Sequence, residues 1–111
     1  MKNALIIFVR KPELGKVKTR LAATIGDKIA LLVYNDLLSH TCMITKNLPL
    51  DKYAFYNQLA IGEDLWSKNG FHRKEQEGIG LGEKMENAFE NLRNEGYEKI
   101  IIIGSDCFEL E

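Results

Sequence analysis

Between Arg10 and Arg20 the chain reads RKPELGKVKTR, which sets Arg10, Lys11, Lys16, Lys18 and Arg20 close together with Glu13 as the sole acid among them. Cations in that density, just past an apolar run, could bind an anion, most naturally phosphate. Thr19 and Arg20 stand where helical spacing begins, so backbone N–H groups and the helix dipole would add to the positive field. Much later, Asp106 follows a second apolar run, KIIIIG at Lys99–Gly104. A carboxylate there could hold Mg²⁺ (or Mn²⁺), a hard cation usually bound by one or two carboxylates together with substrate phosphates. Cations at one strand end and an acid at another make a site for a metal-bound nucleotide. Each half also has a plain structural reading. The cations could form a solvated loop, and a lone aspartate after a strand more commonly serves a turn or a cap.

The familiar phosphate signatures are absent. A Walker A loop needs GxxxxGK[ST], but Gly15-Lys16 is followed by Val17 and has Arg10 where the earlier glycine should stand. The segment GIGLGE at Gly78–Glu83 fails the dinucleotide fingerprint, because Glu83 occupies the third glycine position. His40 and His72 have no ligand-spaced neighbours, which favours surface or packing roles. Trp66 and the group Tyr53, Phe55 and Tyr56 read as core rather than as a cofactor box. Cys107 lies beside Asp106 with no histidine near it in sequence, so nothing suggests a Cys–His nucleophile.

The elements that would position these residues follow from periodicity. ALIIFV (Ala4–Val9) is apolar without alternation, as expected of a strand buried on both faces. A helical stretch begins near Thr19 and pauses at Gly26; Asp27 then caps a longer helix to about Lys46. In it Ala30, Val33, Tyr34, Leu37, Leu38, Thr41 and Ile44 recur at helical spacing and would cover the sheet. Lys52–Asn57 reads as a second strand, a short helical turn is expected around Trp66, and Phe71–Gln76 is a short polar strand candidate. After the glycine-rich turn EGIGLG, Leu81, Met85, Ala88, Phe89 and Leu92 mark one face of a helix that ends at Gly96, a suitable C′ residue. The order β-α-β-(β)-α-β predicts an α/β fold, a three-layer α/β/α arrangement with a mostly parallel sheet. Such a sheet needs helices on both faces. No helix follows the isoleucine run, so either the earlier helices cover that strand or something is missing.

At 111 residues the chain is one domain, 1–111, long enough for one hydrophobic core. Its 45% hydrophobic and 28% charged residues place it in the ordinary globular class. The two cysteines form no CxxC, so neither a disulfide framework nor a zinc cluster is indicated, which suits a reducing cytosol and a cytoplasmic location. The N-terminal apolar run is cut short by Arg10 and Lys11 without a small-residue cleavage site, and nothing approaches the roughly 20 apolar residues of a membrane span. A formal net charge of −1 gives no global basic field for nucleic acid, so any recognition of phosphate must be local.

LIIFVRKPELGKVKTRLAATIGDKIAL, GLGEKMENAF and IIIIGSDC together resemble a known group, in the same order and over essentially the whole chain. This is the glycosyltransferase-A-like family of uncharacterised function, of the DUF2064 type. It is related to 2-phospho-lactate guanylyltransferase and nucleotide-diphospho-sugar transferases, and more distantly to molybdopterin-guanylyltransferase-like enzymes. The resemblance implies the N-terminal part of a Rossmann-like GT-A fold that binds an NTP or sugar nucleotide with Mg²⁺. By the same implication Lys11, Lys16, Lys18 and Arg20 bind the nucleotide phosphates, Gly80, Leu81 and Gly82 approach the base and ribose, and Asp106 is the metal carboxylate. Lys18, Arg20 and Asp106 would then carry the catalytic chemistry. This sequence departs from the family in having Phe108 where proline is more usual and no second aspartate to complete a DxD, Glu109 lying too late for it. Family members also continue well past this point, so the chain is expected to be an incomplete domain, possessing the nucleotide site and inactive alone. The alternatives are a non-catalytic α/β binding module and a truncated domain completed by self-association into a homo-oligomer.

Overall fold

The computed structural model describes residues 2–10, 23–58 and 62–104. The elements run β1 (Asn3–Val9), α1 (Asp27–Thr45), β2 (Asp51–Tyr56), α2 (Leu65–Lys68), β3 (His72–Glu75), α3 (Gly80–Asn94) and β4 (Lys99–Gly104). The four strands form one sheet in the order β3-β2-β1-β4, and every pairing is parallel. That is the α/β arrangement the sequence predicts. The polar segment at His72 is a true strand. It sits at the sheet edge, where its charged residues discourage pairing with another chain.

Period-two alternation divides β1 between two cores. Leu5, Ile7 and Val9 pack against Tyr34, Leu38 and Cys42 of α1 and Trp66 of α2. Ala4, Ile6 and Phe8 pack on the opposite face with Ala88 and Leu92 of α3, and with Tyr97. With helices on both faces, the central strand is buried from Ala4 to Val9, which explains its unbroken apolar run. Each large aliphatic side chain so buried contributes about 1.5–3 kcal/mol. On β4, Ile100 and Ile102 join the α3 core and Ile103 the α1 core, but Ile101 is 57% exposed. Among the described residues, then, the earlier helices cover β4 only in part.

Two local expectations are corrected. Gly26, at φ +93°, is the residue that precedes α1, and Asp27 is an acid of its first turn rather than its cap. A left-handed backbone there favours glycine. Ile44 lies off the packing face of α1, 52% exposed, while Cys42 and Thr45 take that face. The reason is local bonding: Thr41 and Thr45 donate their hydroxyls to the carbonyls of Leu37 (2.8 Å) and Thr41 (2.7 Å). A threonine satisfied by its own helix can be buried at little polar cost.

Tyrosines tie down both ends of the sheet. At the amino edge Tyr97 donates to Asp51 at 2.6 Å and lies 3.0 Å from the Tyr53 hydroxyl. At the carboxyl edge Tyr56 donates to Asp64, whose other oxygen caps α2 through the N–H groups of Trp66 and Ser67. Burial first, and then these hydrogen bonds to acids, push the Tyr56 and Tyr97 phenols above the usual tyrosine range. Both contributions are fully present below the unfolded tyrosine value, about pH 10. Above it the unfolded chain releases protons that the folded chain keeps, so stability falls by about 1.4 kcal/mol per pH unit for each of the two. We therefore expect the phenolate absorbance of Tyr56 and Tyr97 to appear together with the loss of circular dichroism in an alkaline titration. Phenolate from all four tyrosines in a still-folded protein would contradict this.

Candidate functional site

The sheet order sets the place. From β1 the chain crosses to β2 on one side, and from β3 it returns to β4 on the other. The carboxyl ends of β1 and β4 therefore flank the point where the strand order reverses, where open α/β sheets bind ligands. Phe8 is paired with Gly104, so the carboxyl ends of β1 and β4 lie side by side. The cations expected from sequence follow the first of these strand ends in the chain, and the acid follows the second.

At that edge the structure adds two residues to those read from the sequence. The Tyr34 hydroxyl accepts from the Arg10 N–H at 3.0 Å and donates to the Arg10 carbonyl at 2.7 Å. Gln76 donates its backbone N–H to the Tyr56 carbonyl at 2.7 Å and its side-chain amide to the Phe55 carbonyl at 2.7 Å. The same amide approaches the Val9 carbonyl at 3.4 Å, which also receives the Asn57 N–H at 3.0 Å. Gln76 thus fastens the ends of β1, β2 and β3 together. Tyr34 reads from sequence as one member of the sheet-covering stripe. The signal in it was the hydroxyl, which needs a partner when the ring is buried.

Gly80, Leu81 and Gly82 form the first turn of α3, at the same carboxyl edge. Ile79 precedes the helix in an extended conformation and no side chain caps its first N–H groups. Ile79 and Leu81 are 88% and 64% exposed, apolar side chains held out beside a helix start that no side chain caps. The turn itself is tightly determined. Gly78 has φ +120°, and a Cβ there would lie 2.9 Å from Glu83 Cγ and 3.0 Å from Asn87 Nδ2. Asn87 in turn donates to the Glu77 carbonyl at 2.9 Å. Beside this turn a cleft of about 260 Å³ opens between β3 and α3, lined by Phe55, Lys74, Glu75, Glu77, Asn87 and Asn91. Its cation is already engaged: Lys74 donates to Asn91 at 2.7 Å and to Glu95 at 2.6 Å.

Of the residues expected from sequence, Gly80, Leu81 and Gly82 are thus brought to the carboxyl edge, and Arg10 is exposed at the end of β1. Lys11, Lys16, Lys18, Arg20 and Asp106 lie outside the described residues. Among the described residues no group of three or more His, Cys, Asp or Glu side chains is placed to hold a metal ion. Nor is any helix among them long and apolar enough to cross a membrane.

The family model described as "Uncharacterized protein conserved in bacteria (DUF2064)" matches residues 35–111. The chain belongs to the DUF2064 family. The DUF2064 chain is also similar to a solved structure from Desulfovibrio desulfuricans G20, named a putative nucleotide-diphospho-sugar transferase, with a TM-score of 0.83 and 28% sequence identity. That likeness covers 96% of this chain and 48% of the other, so the DUF2064 chain spans about half the length of its structural neighbour. No curated protein matches it. The α/β fold of this chain is accordingly shared with the matched half of that neighbour.

Proposed function

We propose that this chain binds a nucleoside triphosphate or sugar nucleotide with Mg²⁺ (or Mn²⁺), as the nucleotide-binding part of a nucleotidyl- or glycosyltransferase. The observation that carries the reading is the pairing of Phe8 with Gly104, which sets the carboxyl ends of β1 and β4 together at the switch point. The basic segment follows the first of these ends in sequence and Asp106 the second. The name of the structural neighbour supports the same general class.

In this reading Lys11, Lys16, Lys18 and Arg20 bind the phosphates, and the helix start at Gly80, Leu81 and Gly82, which no side chain caps, meets the base and ribose. A single carboxylate completed by phosphate oxygens is a donor set that suits a hard cation, so Asp106 would hold Mg²⁺, which when bound would neutralise charge on the leaving phosphate. The protein's own part is positioning and charge. Lys18 and Arg20 bind the phosphate oxygens more tightly as negative charge builds on them in the transition state.

Thermal unfolding against GTP, CTP, UTP and sugar nucleotides, each with and without Mg²⁺, tests the reading. A ligand at 100 times its dissociation constant stabilises by ~2.7 kcal/mol, a shift on the order of 10 °C for a domain of this size. We expect one nucleotide to give that shift only with the metal, and Arg20→Ala and Asp106→Asn to abolish it. Cooperative unfolding at one temperature under every condition would overturn the reading.

A further inference from the structure

The geometry points to Tyr34 as a positioning residue for anion binding at the carboxyl end of β1, acting through the backbone of Arg10. The inference rests on the phosphate reading above and adds to it a residue from α1 that reads, by sequence, as core.

Tyr34 is 3% exposed, its ring held in the core formed by Leu5, Ile7, Val9 and Leu38. Only its hydroxyl reaches the edge. A neutral phenol both donates and accepts, and here it does both to one residue: it receives the Arg10 N–H at 3.0 Å and gives its proton to the Arg10 carbonyl at 2.7 Å. Arg10 is the first residue past β1, beyond the last ladder pair, Val9 with Tyr56. Its two polar backbone groups would otherwise lie outside the sheet. Fixing both of them fixes the two peptide planes that flank the residue, and with them φ and ψ. Side-chain rotamers depend on φ and ψ, so the exposed cation is offered from a set backbone rather than from a freely turning one.

Binding consequences follow. A cation whose backbone is ordered before the ligand arrives loses less entropy on binding, which is the gain of preorganisation. Phenylalanine in place of Tyr34 keeps the ring and its packing but releases the Arg10 backbone. It also leaves a part-buried donor and acceptor at that edge to be satisfied by water. Such a change belongs to the anion affinity more than to the fold.

The test is calorimetric titration with inorganic pyrophosphate and Mg²⁺, on the unmodified chain and on Tyr34→Phe. Cys42→Ala, two turns further along the same buried face of α1, serves as a variant that loses core packing without touching Arg10. Hydrogen exchange at the Arg10 amide reports the tether directly. We expect Tyr34→Phe to weaken pyrophosphate binding by roughly tenfold, the factor to which 1.4 kcal/mol corresponds, and to speed exchange at Arg10. Cys42→Ala should lower the unfolding temperature and leave the affinity unchanged. Equal affinity in Tyr34→Phe and the unmodified chain would overturn the inference alone. An affinity loss of the same size in Cys42→Ala would also overturn it, by showing that general loosening of α1 suffices. If the unmodified chain binds neither pyrophosphate nor any nucleotide while its Arg10 amide is protected, the phosphate reading itself fails and the inference falls with it.

Discussion

Replacing Trp66 with alanine is expected to lower the stability of this chain by about 3–5 kcal/mol, the usual cost of removing a fully buried large aromatic. For a domain of this length that is a fall of roughly 10–20 °C in the unfolding temperature. Trp66 is 2% exposed and sits in the core between β1, β2 and α1, beside Tyr34, Leu38, Cys42 and Tyr56. Its ring meets Phe71 edge-on, with centroids 4.9 Å apart at 75°, a geometry that adds to simple area burial. The short helix that carries it, α2, is too brief to hold itself together. Asp64 and Ser67 close it by a reciprocal capping box, and the Trp66 carbonyl accepts from both Asn69 and Phe71. With the indole gone, that turn has a cap but no anchor. Trp66→Phe should cost much less, because the ring against Phe71 is partly kept. Equilibrium unfolding of both variants, followed by circular dichroism, checks the ordering. A loss below 1 kcal/mol in Trp66→Ala would mean that this core re-packs around the gap.

How far the sequence speaks for itself depends on which residues are asked. The central strand is legible because a parallel strand covered on both faces has no polar side, and Ala4–Val9 shows none. The α3 stripe is legible at Met85, Ala88 and Leu92 because the helix's opposite face is charged. Phe89, however, is outside that core, and Leu81, also expected on the stripe, is 64% exposed, since it lies in the first turn beyond the core. The α1 face is less so, since apolar residues occur all round that helix. Ile44, Met43 and Leu32 are as hydrophobic as the residues that are buried, and only the self-bonded hydroxyls of Thr41 and Thr45 mark the true face. The site divides in the same way. Types and spacing reveal the cations and the glycine turn, because charge and missing side chains are visible one residue at a time. Tyr34 and Gln76 are not visible so, because each acts on backbone far away in sequence: Tyr34 on Arg10, Gln76 on Phe55. Only the pairing of strands makes those neighbours.

Leu92→Ala is the variant in which core packing and the candidate site meet. Leu92 is 0% exposed, and we expect its truncation to cost about 2–5 kcal/mol, again a fall of roughly 10–20 °C in the unfolding temperature. The two faces of the sheet are not equally supported. The α1 face is sealed by Tyr34, Leu38, Cys42, Trp66 and Phe71, whereas α3 reaches its core through Ala88 and Leu92, with Met85 only partly buried. Alanine at 92 would leave α3 resting on small side chains and on Tyr97. Most helical stability in a protein comes from such packing. The helix should therefore loosen before the sheet does, in the manner of a local opening below the global one. The first turn of α3 holds Gly80, Leu81 and Gly82, so the variant should lose nucleotide protection in step with exchange at the α3 amides, while the amides of β1 stay slow. Native-state hydrogen exchange distinguishes the cases. Uniform acceleration through β1 and α3 together would show a single cooperative unit, and α3 would then have no separate hold on the carboxyl edge.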